Sequence, residues 1–310
     1  MNGVIIIDKP LGKTSHDIVE DVKKTLGVRK VGHTGTLDPL ATGVLPVCVN
    51  EATKLAQFFL TDGKEYRATM LLGVETDTLD IEGKIIVQRE PHVTKSDIED
   101  VLNSFVGEIE QTPPRYSSVK YKGKPMHKWA RRGIVVEPLP RMVEVYRITL
   151  EDVELPYVTF LVSCSKGTYI RSLCSDIGQK LGCGGCLSGL RRIRSGHFCE
   201  EAAVSLENIH DQRKRDLLEK NIVPMADALP DFSTIDVDQK LAGRLKKGYQ
   251  PAVGDLAEHR VPFLTAGDVV KFVSWEGHLV ALARMLYSFD QISSLDSKKQ
   301  LVKILRVFNC

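Results

Sequence analysis

Residues 32–54 read GHTGTLDPLATGVLPVCVNEATK. Glycines at 32, 35 and 43 permit backbone angles closed to other residues, and Pro39 fixes one more φ. Asp38 lies between these constraints. The ordinary reading of a loop aspartate is a cap or an Asx-turn. This much backbone constraint around one carboxylate instead suggests a positioned nucleophile or base. Residues 28–43 carry almost no amphipathic period and are expected to form one long loop, a feature usually tied to function inside a compact domain. Val44–Val49 follows as a strand, and Asn50 is placed to cap a helix reaching about Leu60.

Outward from this segment the periodicities alternate. Val4–Ile7 is a β-branched run and reads as a strand. Thr14 or Ser15 can cap a helix ending near Leu26, with Gly27 as its stop. Lys64–Gly73 and Lys84–Gln88 read as strands around a turn containing Asp77, Asp80 and Gly83. Thr94 and Asp97 have capping-box spacing for a helix that Gly107 would end. Residues 141–164 give two strands with a turn at Pro156, and Thr168 opens a helix ending near Gly182. Short strands and turns occupy the chain beyond Pro230. Helices and mostly antiparallel strands in mixed order define an α+β fold. The expected division is 1–230, with a basic insert at about 115–140, and 231–310.

Composition bounds the function. The 310 residues are 43% hydrophobic and 26% charged, which excludes a disordered chain or a small disulfide scaffold. No apolar run is long enough for a membrane helix, and the N-terminus lacks the basic start of a signal peptide. Seven irregularly spaced cysteines suggest reduced thiols and a cytoplasmic location. The net charge is only +2, but Arg115–Arg147 holds nine Lys/Arg against two acids, and Lys166–Arg194 holds six against Asp176 alone. Such stretches fit either a solvated basic face or a polyanion-binding surface.

Two motifs fail on inspection. VIIIDKPLGKTS suggests a phosphate-binding loop, but Ile7 occupies the position of the required first glycine, and Pro10 removes an amide that the cradle would use. Cys183, Cys186, His197 and Cys199 have the ligand types of a zinc site with a weak spacing match; the glycines around them already explain a helix stop. No metal site is assigned.

Gly32–Gly43 resembles the characteristic loop of the TruB family, the tRNA uridine-55 pseudouridine synthases. The similarity extends through Asp8-Lys9-Pro10, Lys64-Glu65-Tyr66, Thr76–Asp80, Pro113–Ser118 with Lys120, Ser165–Leu173 and Leu187–Arg192, in order, over about residues 3–196. The C-terminal part is similar in position to the family's small β-rich, PUA-like domain.

The resemblance implies a pseudouridine synthase fold and isomerisation of a T-loop uridine: the glycosidic C–N bond breaks, the base rotates and a C–C bond forms. That chemistry needs no metal, nucleotide or redox cofactor. Asp38 maps to the essential carboxylate, Arg171 to its arginine partner and Tyr66 to the active-site tyrosine. Lys9 maps to a supporting cation and Leu190 to an apolar wall over the base. His33 maps to the residue that fills the place of the flipped uridine, whose extrusion costs a few kcal/mol. Lys120, Lys122, Lys124, Lys128, Arg131, Arg132 and Arg191 become candidate contacts to T-arm phosphates. A monomer acting on tRNA without an obligate protein partner is expected. A non-catalytic or guide-RNA-dependent relative is the alternative.

Overall fold

The structure is a computed structural model; it describes residues 1–309 except 61–62, 118–119, 122, 127–128, 130–137 and 208–210. Eight strands carry the site: β1 (Gly3–Lys9), β2 (Val31–His33), β3 (Ala41–Val49), β4 (Lys64–Leu72), β5 (Gly107–Gln111), β6 (Arg141–Glu154), β7 (Tyr157–Cys164) and β8 (Gly185–Ser195). They lie side by side in the order β1-β3-β8-β4-β7-β6-β5, with β2 paired to β3. β3 and β8 run parallel, and every other neighbouring pair in that path is antiparallel. A second sheet, β9 (Ser233–Val237), β10 (Val269–Ser274), β11 (Leu279–Met285) and β12 (Val302–Val307), forms the C-terminal part. Helices α1 (Ser15–Leu26), α2 (Lys95–Asn103), α3 (Ile170–Lys180), α4 (Asp211–Lys220) and α5 (Gln239–Lys246) complete the α+β architecture.

β1 is apolar on both faces because both faces are covered. Ile5 and Ile7 meet Ile18, Val22 and Leu26 of α1, while Val4 and Ile6 face a cluster shared with Val273, Leu279 and Phe308 of the C-terminal sheet. α1 starts at a reciprocal Thr14/Asp17 capping box and stops at Gly27 in the left-handed region. Ala68, Met70 and Leu72 of β4 and Phe160 of β7 pack under α3 through Leu173, Cys174 and Ile177.

Several local expectations are corrected. The loop is shorter than 28–43, because Val31–His33 adds a strand to β3 and β3 already begins at Ala41. Asn50 caps nothing: it takes a left-handed φ of 51°, and its side chain donates to the Met1 carbonyl. A 3-10 turn over Asn50–Leu55 and one helical turn over Ala56–Phe59 replace the expected helix. Residues 85–88 pair with 74–76 and not with β4. α2 ends at Asn103, and Gly107 opens β5. α3 starts at Ile170 because the Thr168 hydroxyl donates to the Ser165 carbonyl, and the Gln111 side chain accepts from the Tyr169 amide in place of a local cap.

Candidate active site

The Asp38 loop is only residues 34–40, and it is tied at nearly every residue. The Thr34 amide donates to Pro46 O, and the Ser15 hydroxyl both donates to Leu37 O and accepts from Leu37 N. The Gly12 amide donates to Pro39 O, and Ala41 N donates to Asp38 O. Leu37 is buried against α1 and β3, so the loop is also held by packing. These anchors leave the Asp38 side chain pointing into an open cavity of about 620 Å3, lined among others by His33, Tyr66, Tyr169, Arg171 and Leu190.

Arg171 comes from the first turn of α3. Gln111 fixes that turn by bonding both the amide and the carbonyl of Tyr169, and the Ser172 hydroxyl donates to Thr112 O. The guanidinium is buried, with Nη2 at 2.9 Å from Asp38 Oδ2 and Nη1 at 3.3 Å from Asp80 Oδ2. It also donates to the carbonyls of Thr78 and Tyr116. A cation near a helix N-terminus is unfavourable by itself. Two carboxylates and two carbonyls offset that cost and satisfy the planar fork. Asp80 is in turn held by the Thr78 hydroxyl and the Glu82 amide, and the turn bonds to β8 through Leu79 O and Ile81 N.

Tyr66 reaches the cavity because it shares a face of β4 with Ala68 and Met70, the face covered by α3. Burial raises the pKa of its phenol, and the nearby Arg192 opposes that shift. Leu190 and Arg192 alternate with Arg191 on β8: Leu190 lines the cavity, and Arg192 is buried beneath the Asp38 loop, bonded to Val44 O and Gly35 O. Arg191 pairs with Asp8 and Glu200. For Arg191, expected to contact T-arm phosphate, strand alternation supplies two carboxylate partners and leaves its side chain 33% exposed.

Lys9 is fully buried at the end of β1, outside the cavity lining, and its ammonium donates to the carbonyls of Pro10, Lys13 and Pro39. Burial lowers its pKa to about 8, with Asp38 opposing the shift. His33 follows β2 into the cavity; burial lowers its pKa, and its Nδ1 is a buried atom without a hydrogen-bond partner. Lys120 and Lys124 belong to two paired two-residue strands, Lys120–Tyr121 and Lys124–Pro125. Lys122, Lys128, Arg131 and Arg132 lie outside the described residues. Cys183, Cys186, His197 and Cys199 are not gathered into a ligand set, and among the described residues no three His, Cys, Asp or Glu converge as a metal site. His197 instead packs on Phe59 and Phe198.

Three residues of this arrangement were not assigned to the site by sequence: Asp80, Arg192 and Ser15. The Thr76–Asp80 turn signalled Asp80, but nothing local says that its carboxylate meets Arg171, which is 91 residues away.

Residues 23–170 match the model for the TruB family pseudouridylate synthase N-terminal domain, and residues 171–230 match that for the tRNA pseudouridylate synthase B C-terminal domain. The chain is 54% identical to the tRNA pseudouridine synthase B of Syntrophus aciditrophicus, covering 100% of this chain and 99% of the relative. It is 40% identical to that of Geobacter sulfurreducens over the full length of both. It therefore belongs to the TruB family of pseudouridine synthases. Among solved structures it resembles an H/ACA RNP bound to a substrate RNA containing 2'-deoxyuridine (TM-score 0.74, 31% identity, 99% of this chain and 85% of that one). It also resembles a Cbf5-Nop10-Gar1 complex (TM-score 0.73, 32% identity, 99% and 85%). Among the described residues no helix is long and apolar enough to cross a membrane.

Proposed function

We propose that this chain isomerises uridine to pseudouridine in tRNA, at T-loop position 55, as a monomeric cytoplasmic enzyme without an obligate partner. The observation that carries the reading is the Asp38 carboxylate, held 2.9 Å from Arg171 at the mouth of a cavity that also contains Tyr66 and Leu190. The full-length likeness to proteins named tRNA pseudouridine synthase B, at 54% identity, is stronger than that to a Cbf5-Nop10-Gar1 complex, at 32%, and supports independence from a guide RNA.

In this reading Asp38 acts on the flipped nucleotide, as a nucleophile or by assisting cleavage of the glycosidic bond. Arg171 pairs with the carboxylate and aims it. The Tyr66 ring stacks on the base and its hydroxyl carries a hydrogen bond or proton. Leu190 walls the base, and His33 fills its former place in the loop. The bond between C1′ and N1 breaks, one between C1′ and C5 forms, the C5 proton leaves and N1 gains one; no oxidant or co-reactant enters. Lys120, Lys122, Lys124, Lys128, Arg131 and Arg132 contact T-arm phosphates, giving salt-sensitive binding. The C-terminal sheet serves as a PUA-like RNA-binding domain.

The test is to incubate the protein with a T-arm stem-loop in EDTA and map pseudouridine by carbodiimide-dependent primer stops. Conversion of one T-loop uridine by the native protein and none by Asp38→Asn supports the reading. Salt-sensitive binding without conversion, on full-length tRNA as well, would replace it with a non-catalytic or guide-dependent role.

A further inference from the structure

We propose that Arg192 is a positioning residue that fixes the path of the Asp38 loop and the direction of the Tyr66 hydroxyl at once. The inference rests on the function proposed above and adds a residue to its machinery.

Arg192 is among the largest fully buried side chains, 1% exposed, and among the described residues it makes no ion pair with a carboxylate. A buried cation without a counter-charge is costly and is a poor way to stabilise a core. The guanidinium spends its donors on neutral acceptors from two different elements. Nε donates to Val44 O of β3 at 2.7 Å, and Nη2 donates to Gly35 O of the Asp38 loop at 3.1 Å. Tyr66 is the residue directly opposite Arg192 across the β4–β8 pair.

The donor inventory gives this set a direction. A guanidinium has no acceptor, so toward Arg192 the phenol oxygen of Tyr66 can only accept. The phenol's own proton is then turned away from Arg192, and Tyr66 lines the cavity. Arg192 thereby presents Tyr66 as a donor toward whatever occupies the site. The same side chain holds the carbonyl of Gly35, two residues after His33 and three before Asp38.

The surrounding glycines fit this arrangement. Gly35 takes a φ of +96°, and a Cβ there would stand 3.4 Å from Arg192 Nη1. Gly43 takes a φ of +95°, and a Cβ there would collide with the Arg192 backbone. The β3–β8 contact is thus built for close approach of this one residue. Arg192 also biases its neighbours electrostatically: it favours the charged form of Tyr66 and the neutral form of His33.

The experiment compares Arg192→Lys and Arg192→Gln with the native full-length chain. Single-turnover conversion of tRNA, tRNA affinity and the ultraviolet titration of Tyr66 (by difference from Tyr66→Phe) are measured. The expected result is a rate at least ~100-fold lower with affinity changed less than ~3-fold, the signature of misplaced groups and not of lost binding. The Tyr66 titration should move upward, further for Gln than for Lys. Folded variants with native rate, pH profile and titration would overturn the proposal.

If neither variant folds, 15N-arginine labelling of the native protein decides. A slowly exchanging Arg192 Nη–H resonance that shifts in Tyr66→Phe is expected; its indifference to that change overturns the proposal. The titration and resonance need no RNA, so they fail or succeed separately from conversion by the native chain, which tests the function itself.

Discussion

Arg171 donates from Nη2 to Asp38 Oδ2 at 2.9 Å across a burial boundary: the arginine side chain is 7% exposed and the aspartate 46%. The two ends of this pair therefore answer to different physics. Behind Arg171 lies Asp80, also 7% exposed, whose only ion-pair partner among the described residues is the same guanidinium.

Arg171→Met leaves Asp80 buried without a counter-charge, and a loss of about 3–5 kcal/mol in folding stability is expected by urea denaturation. Asp38→Asn removes a half-exposed charge and should shift stability by less than about 1 kcal/mol. Its conversion of tRNA should nevertheless fall by at least ~1000-fold, because the group that meets the substrate is gone. Comparable stability losses in the two variants would contradict this division of roles.

Lys9 provides a second separation. Its ammonium ties Pro10, Lys13 and Pro39, so Lys9→Met strips donors from carbonyls beside the Asp38 loop. A cost of about 1–3 kcal/mol is expected, with reduced conversion. The pH dependence has a definite sign. The unfolded chain keeps this proton up to an ordinary lysine value of 10.5, whereas the folded chain releases it from about 8. Between those values the unfolded state binds more protons, so stability from this group rises with pH. Denaturation between pH 7 and 10 should show native stability rising relative to Lys9→Met; a flat difference would remove Lys9 from the buried setting described here.

What was legible in the sequence depended on range. The capping box at Thr94, a helix cap at Thr14 or Ser15 and the apolar run Val4–Ile7 were readable because their signals lie within a few residues. Asp38, Arg171 and Tyr66 were reached through motif resemblance, and the structure brings all three to one cavity. Asn50 was misread because its side chain closes a corner to Met1, a partner 49 residues away. Arg191 and Arg192 are adjacent basic residues with the same local appearance. Only the strand's alternation sends one to Asp8 and Glu200 and the other to the carbonyls of Val44 and Gly35. Asp80 and Arg192 stayed hidden for the same reason: their partners are set by sheet order, which no local pattern encodes.

Asp176, on α3, gives a prediction away from the chemistry. Burial raises its pKa from 3.8 to about 6, so the folded state holds the proton more tightly than the unfolded one. Stability from this group is present below pH 3.8 and is lost as pH rises toward 6. Asp176→Asn should therefore stabilise the protein at pH 7, by about 1–2 kcal/mol after allowance for solvent screening of a partly exposed group. The gain should vanish near pH 4. Melting temperatures across pH 4–8 check it, and a gain independent of pH would assign the effect to something other than ionisation.

The last prediction concerns the C-terminal sheet. Val273, Leu279, Leu282 and Phe308 share one apolar cluster with Val4, Ile6, Val44 and Cys48 of the strands that carry the site. Polar bonds run beside it: Lys54 donates to Val307 O, Asn309 N donates to Glu51, and the buried Lys271 donates to Ala226 O and Leu229 O. Cutting such a cluster exposes apolar surface on both sides, so the two sheets should unfold together. Calorimetry of the full chain should give one transition. Phe308→Ala, at a fully buried position, should lower the stability of that single transition by about 3–5 kcal/mol. Two resolved transitions, with only one of them moved by Phe308→Ala, would show that the shared cluster does not couple the sheets. In that case the C-terminal sheet could not transmit contacts with RNA to the Asp38 cavity through a rigid body, and its contribution would have to be sought in binding alone.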